Sequence, residues 1–221
     1  MIRAKILIAA TALATLSATY AYAGGTNQPS GSNIINGQIN LQSQFSNLTG
    51  NIDTIQGDAV AQSTAAGNMI DITTMNNTRV QNSQMVGPNA AIDTNINTNV
   101  SNVWGSVGIT SQAICNGANV STDPTLTQVN SYQKCNASDP ASAVNANISN
   151  IAGDAVVQSM ALGNSFEADS NAPNMPIVTK QFNNSMTAST VHANVSNVGG
   201  STSLTSSAIG NTAQIIHYST N

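Results

Sequence analysis

Two aspartates follow a glycine in the same local string, Gly57-Asp58 and Gly153-Asp154. A pair of carboxylates is the minimum equipment for hydrolysing a glycosidic bond, provided they stand about 5–9.5 Å apart and one is held protonated. Positions 58 and 154 are 96 residues apart, with Ser106 in the equivalent place between them. In a stacked β protein that separation corresponds to roughly 9–10 Å, or about 19 Å if each repeat makes two coils. The expected role of both aspartates is therefore to cap strand starts in turns. His192 and His217 could act as general bases, but no Ser or Cys partner can be placed beside either, and a solvent-facing or stack-end position is expected. Trp104 is the single Trp, and it could stack on a sugar ring or fill a local gap. Gly-rich phosphate loops and calcium-binding Gly-Gly-x-Gly-x-Asp strings are absent. No catalytic, cofactor-binding or metal-ligating residue is expected.

Composition narrows the class further. Of 221 residues, Asn (31), Ser (26) and Thr (23) together make 80, whereas charged residues are 6% and aromatics 4%. Five Lys plus Arg against nine Asp plus Glu cannot form the basic surface that nucleic acid requires. With 40% apolar residues and almost no charge, disorder by self-repulsion is excluded as well. Three Phe and one Trp are too few for an ordinary bulky core. A repetitive β protein built from small and polar-uncharged residues remains.

The chain opens with Arg3 and Lys5, an apolar run from Ile6 to Leu16, and Ala21-Tyr22-Ala23. This three-part pattern reads as a signal peptide over residues 1–23, and the apolar run is too short for a membrane span. Export makes a disulfide the natural reading of Cys115 and Cys135, the only two cysteines. A metal site would want more ligands than these two.

Internal repetition is the strongest signal. Four 18-residue segments align without gaps from Asn51, Asn99, Asn147 and Asn194. The opening Asn, the seventh-position Gly, Ser at thirteen, Ala at fifteen and Asn at eighteen are the same in all four, with Val or Ile at positions two and five. The first and third copies carry Gly-Asp-Ala-Val; the second and fourth carry Gly-Ser, so a larger unit of 96 residues is duplicated. Residues 24–50 are read as an N-terminal partial repeat or cap, 51–221 as the repeat domain, and the roughly 30-residue spacers as loops facing the surroundings.

Alternating β-branched and small residues predict strands, and the near absence of Glu and Lys argues against helix. One copy has too little apolar area to fold alone, whereas successive copies can stack about 4.8 Å apart. The predicted fold is an all-β solenoid of four repeats of about 48 residues, each making two coils or one large triangular turn. Stacking sets identical side chains above one another. The column Asn68, Asn116, Asn164 and Asn211 can form an amide ladder, as in cross-β structures. Ser63, Ser111, Ser159 and Ser206, with Ala65, Ala113, Ala161 and Ala208, keep the interior thin.

The strings Gln62-Ser63…Ala65-Ala66-Gly67-Asn68, Gln158-Ser159…Ala161-Leu162-Gly163-Asn164 and Ala208-Ile209-Gly210-Asn211 resemble the curlin-type repeats of bacterial surface proteins and the related holdfast-attachment proteins. Gln62 and Asn68 are six apart, and the repeat is longer than a curlin repeat. The resemblance implies an exported solenoid at the bacterial surface, delivered by outer-membrane export machinery. It further implies self-association, or association with sister anchor proteins, in holding an adhesive polysaccharide. The competing class is a soluble solenoid that binds polysaccharide or ice, with a polysaccharide-degrading enzyme third. Thr is not aligned in flat rows in the copies, which counts against ice.

Overall fold

The computed structural model describes residues 32–75, 77–122, 127–137, 139–172 and 175–218. The expected signal peptide, residues 1–23, lies outside the described residues. Twelve strands and no helix are present among the described residues. In chain order they are β1 Ser32–Asn40, β2 Gln44–Ile55, β3 Ala59–Thr74, β4 Thr78–Val86, β5 Ile92–Val103, β6 Val107–Thr122, β7 Thr127–Cys135, β8 Pro140–Ile151, β9 Ala155–Ser170, β10 Ile177–Asn183, β11 Ala188–Val198 and β12 Thr202–His217.

Every third strand pairs in parallel, giving three four-stranded sheets: β1-β4-β7-β10, β2-β5-β8-β11 and β3-β6-β9-β12. The chain is a β-solenoid in which one 48-residue repeat makes one three-sided rung, not two coils. Rungs comprise β1–β3, β4–β6, β7–β9 and β10–β12. Counted by strands the first rung starts at Ser32, and β1 with the start of β2 completes it ahead of Asn51. The spacers are not loops: they form the trailing part of the third sheet, the first sheet and the leading half of the second.

Pairing is in register, Asn68 over Asn116, Asn116 over Asn164 and Asn164 over Asn211. It skips one column, Gly67, Cys115, Gly163 and Gly210. Ahead of that skip every second residue of β6 is buried from Val107 through Ile109, Ser111 and Ala113; beyond it the alternation runs Asn116, Ala118, Val120 and Thr122, with Ile114, Cys115 and Gly117 also buried at the skip itself. One unpaired residue has exchanged the inward and outward faces, as a bulge does. The long strand therefore packs differently along its length. Its first half closes a core with the second sheet, including Ile96, Val100, Ile109, Ile148 and Val157. Its second half closes another with the first sheet, including Val80, Val120, Val129 and Phe166. Between them is a narrow waist where Val86 and Ile92 surround Cys115 and Cys135.

A second skipped column holds the residues with positive φ: Thr54 (55°), Asn102 (54°), Asn150 (57°) and Asn197 (53°). Asn tolerates the left-handed region because its short polar side chain bonds locally, whereas a β-branched side chain there is strained. Replacing Thr54 by Asn is expected to raise unfolding free energy by about 1 kcal/mol, read from the urea midpoint at constant m. An unchanged or lower midpoint would contradict strain at this turn.

Candidate functional site

The columns that repeat in sequence are side chains stacked along the solenoid axis. Asn68 donates through Nδ2 to Asn116 Oδ1 (2.8 Å), Asn116 to Asn164 (2.8 Å) and Asn164 to Asn211 (2.7 Å). The row lies at the waist, and it also reaches the opposite wall: Asn68 donates to the Met85 carbonyl (3.0 Å) and Asn164 to that of Phe182 (2.9 Å). Asn116 and Asn164 are fully buried. A buried amide left without partners costs about 1–3 kcal/mol, so the four-rung row is a structural commitment.

Ser63, Ser111, Ser159 and Ser206 form half of a hydroxyl zigzag. The other half is Ser46, Thr94, Ser142 and Ser189 on the second sheet. Ser63 donates to Ser46 (2.9 Å), Thr94 lies 2.7 Å from Ser111, Ser142 donates to Ser111 (2.9 Å) and Ser159 to Ser142 (2.8 Å). Ser189 continues it to Ser159 (2.9 Å) and Ser206 to Ser189 (3.0 Å). Ala65, Ala113 and Ala161 are buried beside the zigzag, and Ala208 stacks on Ala161 in the last rung. Their small side chains let the facing sheets approach closely enough for hydroxyl contact.

Further rows were missed in the sequence, among them Asn102, Asn150 and Asn197 in the positive-φ column. Gln38, Gln84, Gln133 and Gln181 stack on the first sheet, each upper Nε2 donating to the Oε1 below at 2.9 Å. They also cross the interior to the carbonyls of Met69, Gly117, Ser165 and Thr212. Their sequence spacings, 46, 49 and 48, vary, so a gapless alignment of the 18-residue copies does not find them. On the outside of the second sheet Asn51, Asn99, Asn147 and Asn194 form a further row at 2.8–2.9 Å. These are the opening asparagines of the repeats, whose invariance was the available signal.

Cys115 and Cys135 are joined by a disulfide, Cα atoms 5.8 Å apart, which ties β6 of the second rung to β7 of the third. Asp58 and Asp154 sit in the turns before β3 and β9. The Ser106 N–H donates to Asp58 Oδ1 (2.8 Å), Asp154 N–H to Ser106 Oγ (3.1 Å) and Ser201 N–H to Asp154 Oδ1 (2.7 Å). Each side chain thus satisfies the backbone of the rung above. Hydrogen bonds from Ser101 and Asn102 hold the Asp53 carboxyl below the usual carboxylate range. Burial, reinforced by nearby Asp139, pushes Asp93 up.

Trp104 projects from the turn between β5 and β6 with 72% of its surface exposed, so it fills no gap. His217 bonds to the Ala172 carbonyl. His192 lines a polar groove of about 720 Å³ with Asn97, Asn99, Asn145 and Asn147. The described residues hold no group of three or more His, Cys, Asp or Glu placed to bind a metal ion.

Residues 11–186 match the family model described as holdfast attachment protein D. No curated protein and no solved structure matches the chain.

Proposed function

The chain belongs to the holdfast attachment protein D family, and from that premise we propose that it works as an exported scaffold. It anchors an adhesive polysaccharide to the bacterial surface by associating with itself or with sister anchor proteins. The observation that carries the reading is the open stack. Among the described residues the terminal rungs, β1–β3 and β10–β12, each pair on one side only, leaving backbone donors and acceptors along all three sheets to recruit another strand. Natural sheets blunt such edges with charge, and here charged residues are only 6% of the chain. Delivery through outer-membrane export machinery belongs to the same reading.

The test is negative-stain imaging and fibre diffraction of the purified oxidised protein. Filaments with a meridional spacing of about 4.7–4.8 Å are expected, the separation of stacked strands. A protein that stays monomeric at every concentration would defeat the self-associating scaffold.

The exposure of Trp104 favours a second reading, in which the solenoid also contacts the polysaccharide directly. An aromatic face suits a sugar ring's C–H surface. Trp104→Ala is then expected to weaken polysaccharide binding about tenfold, equivalent to about 1.4 kcal/mol, while leaving the urea midpoint unchanged. Equal binding by the variant would remove Trp104 from the contact.

A further inference from the structure

Resting on the reading that the chain assembles with copies of itself, we infer that assembly is end to end. The β10–β12 rung of one molecule stacks in register on the β1–β3 rung of the next, continuing all three parallel sheets. Five independent features of the two ends agree on this register.

The first is the outer face of the first sheet. One column there runs Ile35, Gln81, Asn130, Val178, and another Ile39, Met85, Lys134, Phe182. The interior rungs carry polar or long flexible residues in these columns. The terminal rungs carry Ile35 and Val178, exposed by 52% and 53%, and Ile39 and Phe182, exposed by 56% and 53%. In these two columns branched or aromatic apolar side chains thus stand at both places that meet when one end is laid on the other; the interior rungs add Met85 and, in the column between them, Tyr132. Such a junction covers Val178 with Ile35 and Phe182 with Ile39 of the neighbour.

The second feature is the open core at β12. Leu204 and Ile215 stand in the inward columns of Ile109 and Val157, and of Val120 and Ala168, yet each is half exposed because no described strand covers β12 on its outer side. The same columns begin with Ala61 and Ile72, which the next molecule would place above them.

The third is phase. Along the turn column the residues alternate Asp58, Ser106, Asp154, Ser201, and a following Asp58 keeps the alternation. Its N–H would meet Ser201 Oγ as that of Asp154 meets Ser106 Oγ. The fourth is size: Ile70, Ala118, Phe166 and Ala213 alternate large and small, and a following Ile70 again fits a small neighbour. A stack of three or five rungs would break both alternations at the junction; four rungs preserve them.

Charge is the fifth. Within the first rung lie Asp53, Asp58 and Asp71 with no Lys or Arg, while residues 177–221 hold Lys180 with no Asp or Glu. Opposite ends of unlike charge favour head-to-tail over head-to-head encounter. An interface of two different surfaces that does not close on itself generates a filament.

Paired cysteines test the register. In the full chain, Ile35→Cys with Val178→Cys brings two Cα atoms from neighbouring molecules to about 4.8 Å, the strand spacing, which a disulfide can bridge. Ile39→Cys with Val178→Cys leaves them four residues out of register, roughly 13 Å apart along the strand and beyond reach. The expected result is a ladder of disulfide-linked multimers from the first pair, at least about tenfold stronger than from the second. Equal ladders, or filaments without cross-links from the first pair, would overturn the end-to-end register and leave self-association standing. Wild-type protein that never assembles would overturn both. Val178→Asp, at an outward-facing position with no ring contact to lose, is expected to leave the urea midpoint in place and weaken assembly about tenfold. Assembly at wild-type concentration would count against the junction.

Discussion

Replacing Asn116 by Leu is expected to destabilise the folded chain by about 3 kcal/mol, because it removes the centre of a buried amide row. Asn116 accepts from Asn68 and donates to Asn164, both at 2.8 Å, and is fully buried. Leu fills nearly the same space but bonds to neither neighbour. The buried Asn164 Oδ1 loses that donor, and Asn68 Nδ2 keeps only the Met85 carbonyl. Asn164→Leu should cost a similar amount, through the same loss at Asn116 and at Asn211 and through the lost bond to the Phe182 carbonyl. The informative variant carries both changes. Removing both partners of the 116–164 bond leaves fewer orphaned groups than the two single changes summed, so the double variant should fall short of additivity by about 1–2 kcal/mol. Urea unfolding of wild type, both singles and the double completes the cycle. Strict additivity would mean that the amides act as isolated groups and that the row has no collective role.

Loss of the Cys115–Cys135 disulfide, by Cys115→Ala with Cys135→Ala, should cost about 3 kcal/mol, the chain-entropy value for a loop of this length. The cysteines are 20 residues apart and both sulfur-bearing side chains are fully buried at the waist. Neighbouring rungs show what the waist otherwise requires. Cys115 stands in a column whose other members are Gly67, Gly163 and Gly210, and Cys135 in one shared with Asn40, Val86 and Asn183. A Cβ on Gly163 would come within 2.8 Å of the Asn183 side chain. Gly163 therefore faces Asn183 across the waist as Cys115 faces Cys135. Cys115→Gly with Cys135→Asn copies that arrangement one rung earlier and should recover part of the loss seen with the alanine pair. A urea midpoint for the alanine pair equal to wild type would show that the covalent tie adds nothing to the stacked sheets. A glycine–asparagine pair no better than alanine would break the equivalence between rungs.

Much of this architecture could be read in advance because stacking translates into spacing. Asn68 and Asn116 meet in space for the same reason that they are 48 residues apart, so the amide row and its Ser and Ala companions stood out in the alignment. The alternation of Asp58, Ser106, Asp154 and Ser201 was equally visible, and with it the turn role that the hydrogen bonds assign. Where strand-to-turn lengths change between rungs the alignment loses the columns, and Gln38, Gln84, Gln133 and Gln181 went unrecognised although they span the interior like the asparagines. The spacers suffered most. Their residues vary because one outer face tolerates Gln81, Asn130 or Tyr132 alike, and variability resembled loop.

The sequence by itself determined that the chain is all-β, that it repeats every 48 residues, and which side chains stack on themselves. Tertiary structure alone decided that a repeat is one rung with three sides, and which wall each half of the long strand faces. The reason lies in the skipped column at Gly67, Cys115, Gly163 and Gly210. Period-two alternation labels two faces but does not say which is inside, and a single unpaired residue exchanges them midway. Val157 and Ser159 point inward before the bulge, Asn164 and Phe166 after it, and only the opposing sheets, 17 to 33 residues away in sequence, fix that change.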